Sequence, residues 1–152
     1  MGFGGSGRGG PGRTGGKRGE ESRFRPRTYT TSDGWTVVVG RSNVENDYAT
    51  MKVAKQDDYW FHAHGVPGSH VVLKRDGRKD NPSRKTIEEA AAIAAFYSKA
   101  RNSGRAPVIY TLKKYVTKPR KAKAGLVMCT RETSIMVKPA NPEPDTPPEW
   151  ED

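Results

Sequence analysis

Only one stretch of this 152-residue chain carries a full set of signals for a long helix, and short β-branched and aromatic runs stand on both sides of it. The stretch runs over residues 87–101. Thr86 can cap its N-terminus while Glu89 reaches back, a capping box. Glu88 and Glu89 suit the positive end of the helix dipole, and Lys99 and Arg101 the negative end. Residues 90–95 are small, so the helix can lie close against a sheet, and Asn102-Ser103-Gly104 stops it. Before it, residues 29–31 and 35–39 flank Ser32-Asp33-Gly34, a hairpin signal with Asp-Gly at the turn. Apolar residues at Val44, Tyr48, Met51 and Val53 to Ala54 suit a shorter helix. Strands follow over residues 59–63 and 69–74, and a charged loop leads to the long helix. After it come a strand over 108–112, extendable to 116, a basic loop, and a predicted terminal hairpin of residues 126–129 and 135–137 turning through 130–133. Strands clustered around one long helix predict an α+β fold with a mostly antiparallel sheet.

The two ends are not expected to join that fold. Residues 1–27 hold ten of the seventeen glycines and almost no aliphatic side chain, and residues 139–152 contain five prolines and five acids. Neither can bury enough surface to offset its ordering entropy, so both are expected to be disordered tails around a domain of residues 28–138. That domain holds twenty basic and ten acidic residues, and from Lys99 to Lys123 there are nine Lys or Arg and no acid. A run of one sign repels itself and points to a polyanionic partner, nucleic acid ahead of an anionic membrane surface. The single cysteine, Cys129, rules out an intrachain disulfide, and no apolar run approaches the length of a transmembrane helix. A cytoplasmic location is the resulting expectation. Arg8-Gly9-Gly10 and the arginines spaced along the first tail suit loose RNA contacts.

The candidate site lies in Asp57-Asp58-Tyr59-Trp60-Phe61-His62 and Pro67-Gly68-Ser69-His70-Val71-Val72-Leu73. Both runs read as paired strands around a Gly- and Pro-containing turn, yet they carry more hydrogen-bonding side chains than a structural hairpin needs. Trp60 and Phe61 must point to opposite faces, so one is buried and the other need not be. His62, His64 and His70 could approach a metal, but nothing fixes such a geometry, and neither a metal nor a cofactor is predicted. Asp57, Asp58, His62 and His70 could form an acid–base set for chemistry on a nucleotide, though no nucleophile motif or phosphate loop accompanies them. Lys113-Lys114-Tyr115-Val116-Thr117-Lys118-Pro119-Arg120-Lys121-Ala122-Lys123 interleaves an aromatic with six cations. Its cations could hold phosphates while Tyr115 stacks on a base.

Taken together, these residues resemble the NFACT-R domain, the RNA-binding module of the NFACT proteins. The matching residues are Asp33-Gly34, Val39-Gly40-Arg41-Ser42-Asn43, Asn46-Asp47, Lys52, Ala54, Asp57-Asp58, Trp60-Phe61-His62 and Pro67-Gly68-Ser69-His70-Val71. Glu89-Ala90-Ala91, Tyr97-Ser98-Lys99-Ala100-Arg101, Tyr110-Thr111, Tyr115-Val116 and Lys118-Pro119 continue the series. The family commonly has two asparagines after the arginine, where Ser42-Asn43 stand here. The resemblance implies an α+β RNA-binding domain linked to translation and ribosome-associated quality control, with transfer or ribosomal RNA and the large ribosomal subunit as partners. The family's N-terminal domain, helix–hairpin–helix segment and coiled-coil arm have no counterpart in these residues, so its peptide-tailing activity does not carry over.

The predicted RNA-binding residues are therefore Arg41, Asn43, Asn46, Lys52, Trp60, His62, Ser69, His70, Lys99, Arg101, Lys113, Lys114, Tyr115, Lys118, Arg120, Lys121 and Lys123. The cations would hold backbone phosphates, while Trp60, His62, Ser69 and His70 would either read a base or ribose or fix the sheet. Trp60 is expected in the core. Rival readings are an RNA-modifying enzyme, or its accessory subunit, working through Asp57, Asp58, His62 and His70, and an adaptor for an acidic protein partner.

Overall fold

The computed structural model describes residues 24–140, and most of both predicted tails lies outside the described residues. Six strands form one sheet in the order β1-β2-β4-β3-β5-β8, and every neighbouring pair is antiparallel. They are β1 (Arg27–Thr30), β2 (Thr36–Val39), β3 (Tyr59–Ala63), β4 (Val71–Lys74), β5 (Ala106–Leu112) and β8 (Thr133–Val137). Helix α1 (Asn43–Tyr48) runs on as one π-helical turn over Ala49–Val53, and α2 spans Arg84–Phe96. Two-residue strands β6 (Val116–Thr117) and β7 (Met128–Cys129) pair apart from the main sheet. The α+β class and the mostly antiparallel sheet are as the sequence predicts.

Side-chain alternation along each strand gives the sheet two apolar faces. On one, Val37, Val39, Phe61, Val71, Leu73 and Val108 pack against Ile87, Ala90, Ala91, Ile93, Ala94 and Ala95 of α2. On the other, Val38, Trp60 and Val72 pack under Ala49, Ala54 and Val116, so α1 and the β6–β7 pair form a third layer. Trp60 and Phe61 are thus both buried, at 3% and 0% exposure. The sequence guarantees only one of them, because alternation along a strand does not tell whether the second face is covered.

Three boundaries differ from expectation, each because a distant partner decides it. Helix α2 begins three residues early: Ser83 Oγ accepts from the Thr86 backbone N–H at 3.2 Å and is the cap. Thr86 instead donates its hydroxyl to Asp33 in the β1–β2 turn at 2.5 Å, and Glu89 accepts from Ser32 N at 2.9 Å. The helix also ends at Phe96, because residues 97–99 turn to run beside the 67–69 segment. There Ser69 N donates to Tyr97 O at 2.9 Å and Lys99 N to Pro67 O at 3.0 Å. A Cβ on Gly68 would stand 2.7 Å from that of Ser98, so only glycine permits this approach. Finally, the predicted terminal hairpin does not form. Met128–Cys129 pairs with Val116–Thr117, whereas Thr133–Val137 pairs with β5, so its two strands belong to different sheets.

Candidate nucleic-acid interface

The second face of the sheet, under α1 and the β6–β7 pair, gathers most of the polar side chains singled out by sequence. His70 stands just before β4 and is 2% exposed. Its Nε2–H donates to Gly125 O at 3.0 Å, which leaves Nδ1 to accept from the Thr50 hydroxyl at 2.8 Å. Its backbone N–H donates to Asn46 Oδ1 at 3.0 Å. Burial, helped by the nearby His62, pushes the His70 pKa down to about 4, so the ring is neutral near pH 7. His70 therefore ties three elements together: the π turn through Thr50, α1 through Asn46, and the basic loop through Gly125.

That loop, residues 118–127, is fastened at the His70 end of the sheet. Lys118 donates its ammonium to the carbonyls of Lys123 and Leu126, and lies 3.2 Å from Asp47. Asp47 also accepts from Gly125 N at 3.1 Å. Gly125 adopts φ +86°, and a Cβ there would come within 2.9 Å of Asn43 Oδ1. Asn43, Asn46, His70 and Lys118 thus work on the shape of the loop, while Arg120, Lys121 and Lys123 stand exposed upon it.

Between the loop and the sheet lies a groove of about 460 Å³. His62 and Trp60 form its base, Val66, Pro67 and Ile109 its sheet side, and Leu126, Val127 and Cys129 the opposite wall. The rings of Trp60 and His62 lie nearly parallel with centroids 5.9 Å apart, and His70 meets both edge-on. His62 donates from Nδ1 to Ala63 O at 2.6 Å, the tautomer in which Nε2 is the acceptor. The Nε1 of Trp60 is the one buried side-chain polar atom among the described residues without a hydrogen-bond partner. Burial also pushes the Cys129 thiol up.

The basic run from Lys99 to Lys123 is not one patch. Strand β5 separates its parts by about 20 Å, the length of seven extended residues. Lys99 and Arg101 lie beyond the end of the sheet where His62 pairs with Ile109, and share a second hollow with Pro67 and Gly68. Arg101 covers the Phe96 ring at 4.2 Å. The basic loop returns to this same end through the His70–Gly125 hydrogen bond, and Arg41 follows Gly40, whose N–H donates to His70 O at 3.1 Å. Arg41 is clasped by Glu45, whose carboxyl burial would raise but which the Arg41 side-chain and backbone hydrogen bonds hold low on balance. Lys113, Lys114 and Tyr115 lie at the opposite end, after Leu112, which pairs with Tyr59.

At that opposite end Tyr115 is flanked by Lys114 at 5.6 Å and by Arg131 at 5.2 Å. Sequence reasoning missed Arg131, which reaches Tyr115 only because β7 pairs with β6; no local signal could have found it. Lys52 projects from the π turn, exposed, while Ser69 is half-buried and held through its backbone.

The structure does not assemble the acid–base set. Asp58 precedes β3 and His62 follows it four residues on, about 13 Å away along an extended chain. Asp58 is 2% exposed and accepts from Lys55 N at 2.8 Å, Arg75 N at 2.7 Å and Lys74 Nζ at 2.6 Å. Its task is to fasten a turn and hold the largely buried Lys74 ammonium. Asp57 is exposed, 3.7 Å from Lys114. Among the described residues no three His, Cys, Asp or Glu side chains converge as a metal site would require, and no helix is long and apolar enough to cross a membrane.

Comparison with known proteins gives a consistent result. The Rqc2 homolog RqcH of Bacillus subtilis is 44% identical over 112 residues, 74% of this chain and 19% of the relative. The Rqc2 homolog RqcH of Streptococcus suis is 39% identical over 120 residues, covering 77% of this chain and 21% of the relative. The chain spans about a fifth of the length of these curated relatives. Among solved structures, the C-terminal part of the fibronectin/fibrinogen-binding protein from Streptococcus suis matches with a TM-score of 0.70 at 37% identity, over 76% of this chain and 46% of that one. The model of the NFACT protein RNA binding domain matches residues 25–131, and the chain belongs to that family.

Proposed function

We propose that this domain binds structured RNA, transfer or ribosomal, in translation and ribosome-associated quality control, and that it meets that RNA at or near the large ribosomal subunit. One observation carries the reading: a loop exposing Arg120, Lys121 and Lys123 is pinned rigidly by His70, Asp47 and Lys118 beside an aromatic groove. A solvated loop has no need of such anchoring, whereas cations fixed at set spacings can match the phosphates of a folded RNA. Lys99 and Arg101 widen the positive surface at the same end, and Lys113, Lys114, Tyr115 and Arg131 offer a second contact at the other. Membership of the family and the names of the relatives support the link to ribosome quality control. In this reading Asn43, Asn46, His70 and Lys118 shape the surface, and the exposed cations touch the RNA.

The test is charge reversal in the full chain. Lys121→Glu combined with Lys123→Glu should weaken binding to transfer RNA by about tenfold or more in 0.1 M salt, because attraction becomes repulsion at two phosphates. Lys85→Glu, on the helix side of the sheet, should change it by less than about threefold. Equal losses from both variants would refute the assignment of the RNA-binding face.

A further inference from the structure

We infer that the groove between His62 and the Gly125–Val127 wall receives a single unpaired nucleobase of the bound RNA, so that the domain distinguishes interrupted or single-stranded sites from continuous duplex. The inference rests on the proposed RNA-binding function and adds the feature of RNA that is recognised.

Its shape comes first. A volume of about 460 Å³ lies within the range of roughly 300–1,000 Å³ typical of small-ligand sites. The groove opens at the end of the sheet where Arg120, Lys121 and Lys123 stand, so a strand tracked by those cations has its bases within reach of it. A base inside a duplex cannot enter such a recess, whereas an unpaired one can be splayed into it.

The chemistry agrees with that occupant. The walls are apolar, from Val66, Leu126 and Val127, and Leu126 is left 53% exposed at the rim. The half-buried His62 ring, stacked against the buried Trp60 ring with centroids 5.9 Å apart, is an aromatic surface on which a base can stack. One polar atom at the groove remains to read its edge, the Nε2 of His62, and a second lies buried beneath it. The Nε1–H of Trp60 is a donor with no partner in the protein, and a buried indole N–H ordinarily has one. The Nε2 of His62 is an acceptor, because Nδ1 donates to Ala63 O. The acceptor at His62 matches a base edge that presents an exocyclic amino donor, as adenine does. The His70 ring cannot compete for this role, since both its nitrogens are engaged.

The test compares two hairpin RNAs with the full chain, one with a fully paired stem and one with a single bulged adenosine in the same stem. The bulged RNA should bind about tenfold more tightly, the size of one base–aromatic stack. His62→Ala should bring the ratio of the two affinities close to one. Leu126→Trp, which fills the mouth of the groove from an exposed position, should do the same, with thermal melting showing that both variants fold. Lys121→Glu should weaken both RNAs and preserve the ratio. Equal affinity of the wild-type chain for the two hairpins would overturn the inference while leaving RNA binding intact. Failure to bind either would overturn both.

Discussion

His70 contacts three elements through one side chain and its own backbone N–H, and its neutrality is part of the fastening. A protonated ring could not accept from Thr50 at Nδ1. In the folded chain the ring gains a proton only near pH 4, whereas in the unfolded chain it does so near its ordinary value of 6.5. Between those values the unfolded state holds more protons, so stability rises with pH. The contribution is fully present above about pH 6.5 and is lost as the pH falls towards 4. It amounts to about 3 kcal/mol. Denaturant unfolding at pH 7 and pH 5 should show the decline, and His70→Gln should flatten it. Identical pH profiles for the two proteins would contradict the role. Asp58 makes the complementary case, a buried carboxylate whose oxygens are all engaged by donors. Asp58→Ala leaves the largely buried Lys74 ammonium with the Val53 carbonyl but no carboxylate partner, and should cost about 3 kcal/mol, measured by urea unfolding, with RNA affinity of the folded protein unaltered. A loss of RNA affinity without loss of stability would return Asp58 to the functional site.

Local elements announce themselves in sequence when their signals and partners are near. The Asp-Gly turn after β1 and the aromatic and β-branched run of β3 do so, because alternation and turn residues act within a few positions. The start of α2 was less legible, since Ser83 and Thr86 can both cap a helix and only Asp33, across the molecule, decides between them. The partners of β7 and β8 could not be read at all, because each pairs with a strand other than its neighbour in sequence. The candidate site shows the same divide. His62, His70 and the loop cations stood out by composition, but the splitting of the basic run by β5, and the place of Arg131 beside Tyr115, follow from topology. Glycine at 68 allows the approach that sets down Lys99 and Arg101. Gly68→Ala would force its Cβ to within 2.7 Å of the Ser98 Cβ and should cost about 1–3 kcal/mol, seen as a lower melting temperature. An unchanged melting temperature would mean that the two segments part easily.

For the molecule as a whole, the sheet has one face closed by a long helix and the other covered by α1 and the β6–β7 pair, with positive charge displayed at both ends of the covered face. Residues 28–138 carry twenty basic against ten acidic residues, and several of the acids are already committed: Asp58 to Lys74, Glu45 to Arg41 and Asp47 to Lys118. The surplus is left facing solvent, so association with RNA should be governed by displaced counterions. The most direct test is the salt dependence of transfer-RNA binding by the full chain between 50 and 200 mM salt. With about four to six phosphates neutralised, the logarithm of the association constant should fall linearly with the logarithm of salt concentration, with a slope of about −3 to −5. A slope near zero, or no binding at the lowest salt, would contradict the account.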